Sequence, residues 1–154
     1  MLAQAYGVRL GTVGLLATAL FVTHLLMQIP GGRLVDRHGA RLLGMWALAI
    51  IAAGNLLALL VESFGVGVAG RLVAGVGTGI GFVAGSDYVR GTVGTASAQG
   101  YYGAAGVGGG GLAIALVPLA IPGLDWRAPY LTALVFALVV LLVAASLAAA
   151  YRWI

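Results

Sequence analysis

Between Arg41 and Glu62 the chain runs through LLGMWALAIIAAGNLLALLV, residues 42 to 61, without one charged side chain. A bilayer's hydrocarbon core is about 30 Å thick and takes about 20 helical residues to cross, so a run of this length restricts the fold more than any other feature. Four more runs match it: 10 to 29, 64 to 85, 98 to 121 and 128 to 149. Helices are the only open-ended structures that satisfy their own backbone hydrogen bonds in lipid, and the runs lack the polar alternation of barrel strands. The sequence therefore predicts an all-α membrane protein, a polytopic transmembrane helical bundle. A single transmembrane domain over residues 1–154 is expected, with spans at about 10–29, 42–61, 64–85, 98–121 and 128–149.

Composition narrows the chemistry. Charged residues make up 8% of the chain, against about 25% in soluble domains. With no cysteine there is no disulfide framework and no thiolate metal site. The acids are Asp36, Glu62, Asp87 and Asp125, all near the ends of runs, with no pair converging inside one. There is no HExxH, no acidic cluster and no serine with a plausible histidine base, so no enzyme, no metal and no cofactor are predicted. GVGGGG at 106–111 lies inside an apolar run and lacks the GK[ST] ending of a phosphate-binding loop. No basic tract suggests nucleic acid. The start, MLAQAYGVRLG, lacks the pattern of a signal peptide, so the first run is expected to stay in the mature chain.

Arginine counts set the expected orientation. Arg33, Arg37, Arg41, Arg90 and Arg152 lie on one side of the runs, and Arg9 and Arg127 on the other. The richer side is the cytoplasm, which places the turn 31–41 and the C-terminus inside. In that turn, GGRLVDRHGAR, Gly32 and Gly39 permit tight turning and the arginines can anchor at anionic headgroups, each contributing about 1 kcal/mol. The first residue then falls outside, and AQAYGVRLGTVGLL resembles an external loop entering a second helix.

Gly32, Leu34, Asp36, Arg37, Gly39 and Arg41 together resemble the signature loop of the major facilitator superfamily. The departure is Ala40, where the family usually carries a basic residue paired with an acid at the cytoplasmic end of the fourth helix. Asp87 takes that acid's position as charge-relay partner, with Arg41 or Arg37 as its substitute cation. GRLVAGVGTG at 70–79 is similar to the family's fourth-helix signature, through Arg71, Gly75, Gly77 and Gly79. The resemblance implies helices two to six of the amino-terminal half of a twelve-helix permease, a truncated piece whose partners are the missing helices of the same transporter. It further implies secondary active transport of a small solute by alternating access in the cell membrane, with possible proton or other ion coupling, and a piece inactive alone. The run at 98–121, the fifth helix by this resemblance, lacks the glycine–proline pair of drug antiporters and the asparagine of the nitrate branch.

Polar residues inside the runs are the candidates for a transport path. Arg71 costs roughly 2.5 to 3.5 kcal/mol on insertion scales and is expected to face protein or water. His24 lies mid-run, where an imidazole serves either proton coupling or a bond to a neighbouring helix. Asn55 is expected to pack. Gln99, Tyr101 and Tyr102, and at the other end Trp126, Arg127 and Tyr130, are expected at the membrane interfaces, the usual place for tyrosine and tryptophan. The four-residue glycine spacings 75/79, 77/81, 81/85 and 106/110 predict close helix packing, with sliding as the functional alternative. Two other classes stay open: a non-transporting membrane assembly protein that associates through its glycine faces, and an integral-membrane enzyme.

Overall fold

The computed structural model of the chain describes residues 1–150. Arg152, counted above for orientation, lies outside the described residues. A short helix, α1 (Leu2–Ala5), leads into α2 (Leu10–Leu26), α3 (Gln28–His38), α4 (Ala40–Leu60), α5 (Phe64–Thr92), α6 (Ala96–Leu124) and α7 (Ala128–Ala150), with one 3-10 turn at Asp125–Arg127. No strand occurs among the described residues.

The breaks follow local chemistry. Pro30 has no N–H to give Leu26, and its ring crowds that carbonyl. The helix accordingly interrupts at Met27, and α2 and α3 meet at a 48° bend. Gly39 separates α3 from α4 in a single residue with φ +85°, a conformation that a side chain would strain. Val61 and Ser63 turn extended between α4 and α5. Thr95 caps α6 by accepting the Ala98 N–H at 3.2 Å. Asp125 takes φ +47° and ψ −133° where α6 ends and α7 turns back, outside the left-handed helical region and strained for any side chain.

The turn expected at 31–41 is mostly helix. Its residues through His38 continue α3, and only Gly39 breaks the backbone. The link expected at 86–97 shrinks in the same way, because α5 runs on to Thr92.

At the centre lies α5. It packs most extensively on α4, then on α2, while α7 lies along α4 and α6 touches α5 near its own start. Glycine makes this possible. A Cβ at Gly54 would come within 2.5 Å of the Ala74 N and 2.6 Å of the Gly70 O, and one at Gly70 within 2.5 Å of the Gly54 O. Thus α4 and α5 meet backbone to backbone, the close approach that small residues allow where lipid removes the hydrophobic drive. Gly75 and Gly79 turn the neighbouring face of α5 onto Leu20, Thr23 and His24 of α2, while Gly77 faces Ala47 of α4. The glycines at 106 and 108 to 111 of α6 have open space around them instead.

By length and apolar character α4, α5 and the stretch Ala96–Ala150 can cross a membrane, and the bent α2–α3 pair makes a fourth when taken together. Large apolar side chains such as Leu10, Phe21, Leu25, Ile114 and Leu142 are exposed on the bundle's outer surface. For a chain in lipid this is the expected arrangement.

Candidate functional site

Three polar clusters lie along α5. The first is at its carboxyl-terminal end, where the signature residues gather. Val35 and the half-buried Leu34 anchor α3 against Leu43, Ala47, Ile80 and Ala84. This leaves Asp36, Arg37 and Arg41 exposed around Gly39. Gly32, Asp36, Phe82, Ser86, Asp87 and Arg90 line a cleft of about 280 Å³ between α3 and α5. Asp87 pairs with Arg90 at 2.5 Å, one turn further along the same helix. Neither Arg37 nor Arg41 takes that place: Arg41 instead lies over the Tyr88 ring, 5.6 Å from its centroid. The geometry therefore brings Gly32, Asp36 and Asp87 to one cleft, with a local cation as the acid's partner. Gln99 joins this end from α6, its amide donating to the Ser86 carbonyl at 2.9 Å.

The second cluster surrounds His24, in the last turn of α2. Its Nδ1 lies 3.1 Å from the Thr78 hydroxyl of α5 and its Nε2 3.3 Å from the Gln28 amide nitrogen of α3. Beside it the Thr23 hydroxyl reaches the Leu72 carbonyl of α5 at 3.0 Å. The imidazole also packs on Phe82, ring centroids 5.8 Å apart, and Tyr102 of α6 lies behind Phe82 at 5.9 Å.

The third cluster is at the opposite end and holds Arg71. Its guanidinium stacks on Tyr130 of α7, 4.4 Å from the ring centroid, and donates to the Asn55 side-chain carbonyl of α4 at 3.4 Å. Asn55 is buried and fixes itself by donating to the Ile51 carbonyl at 2.8 Å. A ring of aromatics closes over this group. Tyr6 donates to the Tyr130 hydroxyl at 2.9 Å and packs on Phe64 and Trp126. Burial, and after it the bond to Tyr130, push the Tyr6 phenol above its ordinary value.

Two expectations change here. Trp126 is 3% exposed and Tyr130 0%, so they face inward in a cluster with Ala58. Tyr102 donates across to the Phe82 carbonyl at 2.9 Å, whereas Tyr101 is outward-facing. No hydrogen bond links His24 to Arg71: α3 and α5 hold the first, α4 and α7 the second. Sequence reasoning did not anticipate Tyr6, Thr78 or Gln28. The readable signals were modest: Gln28 follows His24 by four residues, which places both on one helix face. Among the described residues no group of three metal-ligating side chains comes together.

An all-helical bundle that carries an arginine and a histidine between apolar helices is a polytopic membrane protein. A sequence model of the Major Facilitator Superfamily matches residues 1–154, and the chain belongs to that family of membrane transporters. No match to the chain is found among curated proteins or among solved structures.

Proposed function

We propose that the chain supplies part of a secondary active permease that moves a small solute across the cell membrane by alternating access. In this reading it contributes five spans, at about 10–29, 42–61, 64–85, 98–121 and 128–149, with residues 31–41 and the C-terminus on the cytoplasmic face. The cleft at Asp36 and Asp87 is the inner gate region, and Arg71 is the solute-side charge. The observation that carries the reading is the Arg71 guanidinium, held between helices by a neutral amide and an aromatic face with no carboxylate among its described partners. A cation kept inside a span at a cost of roughly 2.5 to 3.5 kcal/mol, with N–H donors to spare, suits a solute that brings its own acceptor oxygens. The glycine contacts of α5 with α2 and α4 supply surfaces along which packed helices can slide.

The test is uptake into proteoliposomes of a panel of small solutes, organic anions and neutral polyols included. The chain is reconstituted alone and together with the remaining helices of a permease of this family. The expected result is background uptake for the chain alone, and uptake that collapses at least tenfold in Arg71→Gln for the complete assembly. Uptake by the chain alone, or an Arg71→Gln assembly that transports normally, overturns the reading. A full assembly inert to every solute favours a non-transporting assembly role.

A further inference from the structure

The His24 cluster has a definite hydrogen-bond polarity. The Thr78 hydroxyl donates to the Gly75 carbonyl at 3.0 Å, so only its lone pairs face His24. Nδ1 of the imidazole must therefore carry the proton it shares with Thr78 across 3.1 Å. That leaves Nε2 as a lone pair, which accepts the Gln28 amide N–H at 3.3 Å. The neutral Nδ1–H tautomer satisfies both neighbours.

Position gives this bond its importance. His24 belongs to the last turn of α2 and Gln28 opens α3, so the N–H···N contact spans the Met27 interruption where the two helices bend by 48°. His24 thus ties three segments together at a hinge whose backbone bond Pro30 has already removed. The groups facing it are Thr78 and Phe82 from α5, Gln28 from α3, and Tyr102 of α6 behind Phe82. On these elements Asp36, Asp87 and Arg90 share the neighbouring cleft with Phe82. None of them hydrogen-bonds the ring.

We propose that His24 is a proton-binding site that controls the α2–α3 bend. A proton taken from water forms a bond to the Nε2 lone pair, and Nε2 becomes a donor. It then opposes the Gln28 N–H, donor against donor, so the Gln28 amide must let go or turn its oxygen inward. The Thr78 bond survives, because Nδ1–H is a donor in both states. One side of the hinge stays pinned to α5 while the other is released, and the bend opens. The reaction consumes one proton and changes no oxidation state. It adds a coupling ion to the proposed transport, and its use in coupling rests on that reading; the hinge itself does not.

The experiment uses the chain in lipid nanodiscs. The absence of native cysteine allows spin labels on Leu10→Cys and Arg33→Cys, one on each arm of the bend. Nitrogen-15 histidine spectra are recorded with label distances from about pH 8 to about pH 5, the interval in which histidine ordinarily changes charge. His24 is assigned by loss of its signal in His24→Gln, with His38 as the surface reference. The expected result is an Nδ1–H neutral ring at high pH that gains a proton at Nε2 on acidification. The label distance lengthens in step by about 2 Å, the change that a rise of about 1.5 Å per residue gives when a 48° bend opens over those arms. Gln28→Ala keeps the titration and loses the distance change, and His24→Gln loses both. A ring that never takes up the proton, a titration that leaves the distance unchanged or shorter, or a pH-dependent distance in His24→Gln each overturns the proposal. Failure of solute uptake in the full assembly leaves these spectra unaffected, so the two readings fail separately.

Discussion

Arg71 separates charge from shape. Lysine there keeps the positive charge but loses the planar face stacked 4.4 Å above Tyr130. Arg71→Lys is expected to lower stability by less than the about 0.5 to 2 kcal/mol of a whole cation–π contact, because the ammonium keeps its attraction to the ring and loses only the stacked plane, read as a slightly lower midpoint in detergent unfolding. Asp87 behaves in the opposite way. Its partner Arg90 is 73% exposed, and ion pairs in such surroundings contribute about 0 to 1 kcal/mol. Asp87→Asn should therefore leave the unfolding midpoint nearly unchanged, while a gating role would show as lost uptake in the complete assembly. Tyr6 gives a pH dependence outside the spans. Burial and the Tyr130 bond favour its neutral form, so its folded value exceeds its unfolded one. Its contribution is fully present below about pH 10 and is lost as the pH climbs beyond it. The Tyr6 environment, followed by Trp126 fluorescence, should loosen only on the alkaline side, and Tyr6→Phe should remove that dependence. At this scale the sequence showed which residues are polar within apolar runs and not what they touch. Arg71 and His24 stood out as polar atoms in apolar runs, but their partners Tyr130 and Thr78 come from distant segments that no local spacing connects.

The glycines show how context decides at the scale of the helix. Gly54 on α4 and Gly108 on α6 both lie inside uncharged helical runs, yet a Cβ at Gly54 would strike backbone at 2.5 Å and one at Gly108 would meet nothing within 4 Å. Gly54→Ala must push α4 and α5 apart, and overpacking of this kind costs typically 1 to 3 kcal/mol. Gly108→Ala adds no clash and removes glycine's excess freedom, so it should stabilise α6 by about 0.5 to 1 kcal/mol. Opposite shifts of the unfolding midpoint in the two variants are the expected result; equal shifts would mean that the two helices are packed alike. The apolar runs made the helices themselves legible, since hydrophobic length is a local property. The segment 31–38 was not legible as helix, because arginine, aspartate and glycine together read as a turn. Its burial comes from Ile80 and Ala84 on another helix, against which Val35 packs. The bend at Met27 was concealed by apolar continuity through residue 29, although Pro30 marked its position.

The molecule is unevenly held together. Beyond Tyr102, α6 has few ties to its neighbours: its described links to α5 are Gln99 to Ser86 and Tyr102 to Phe82, all in its first two turns, and none of its residues is buried. In contrast α5 buries Gly67, Gly70, Ala74, Gly75, Gly77, Gly79, Ile80 and Ala84. Opening free energy follows such differences, because a helix with little buried contact loses little when its backbone bonds break. Glycine at 106 and 108 to 111 lowers the barrier further, each such residue costing roughly 1 kcal/mol relative to alanine in a helix. Pro118 and Pro122 each remove another backbone bond from the same helix. Deuterium exchange in detergent micelles should therefore run fastest among the spanning helices through residues 104–120, and slowest through 67–84 at the glycine contacts. If helices outside this chain cover α6 in the assembled transporter, adding them should slow exchange at 104–120 and leave 67–84 as it was. Uniform protection across both stretches in the chain alone would show that α6 is as firmly packed as α5, and with it the picture of a solid α2–α4–α5 core bearing a loosely docked helix would fail.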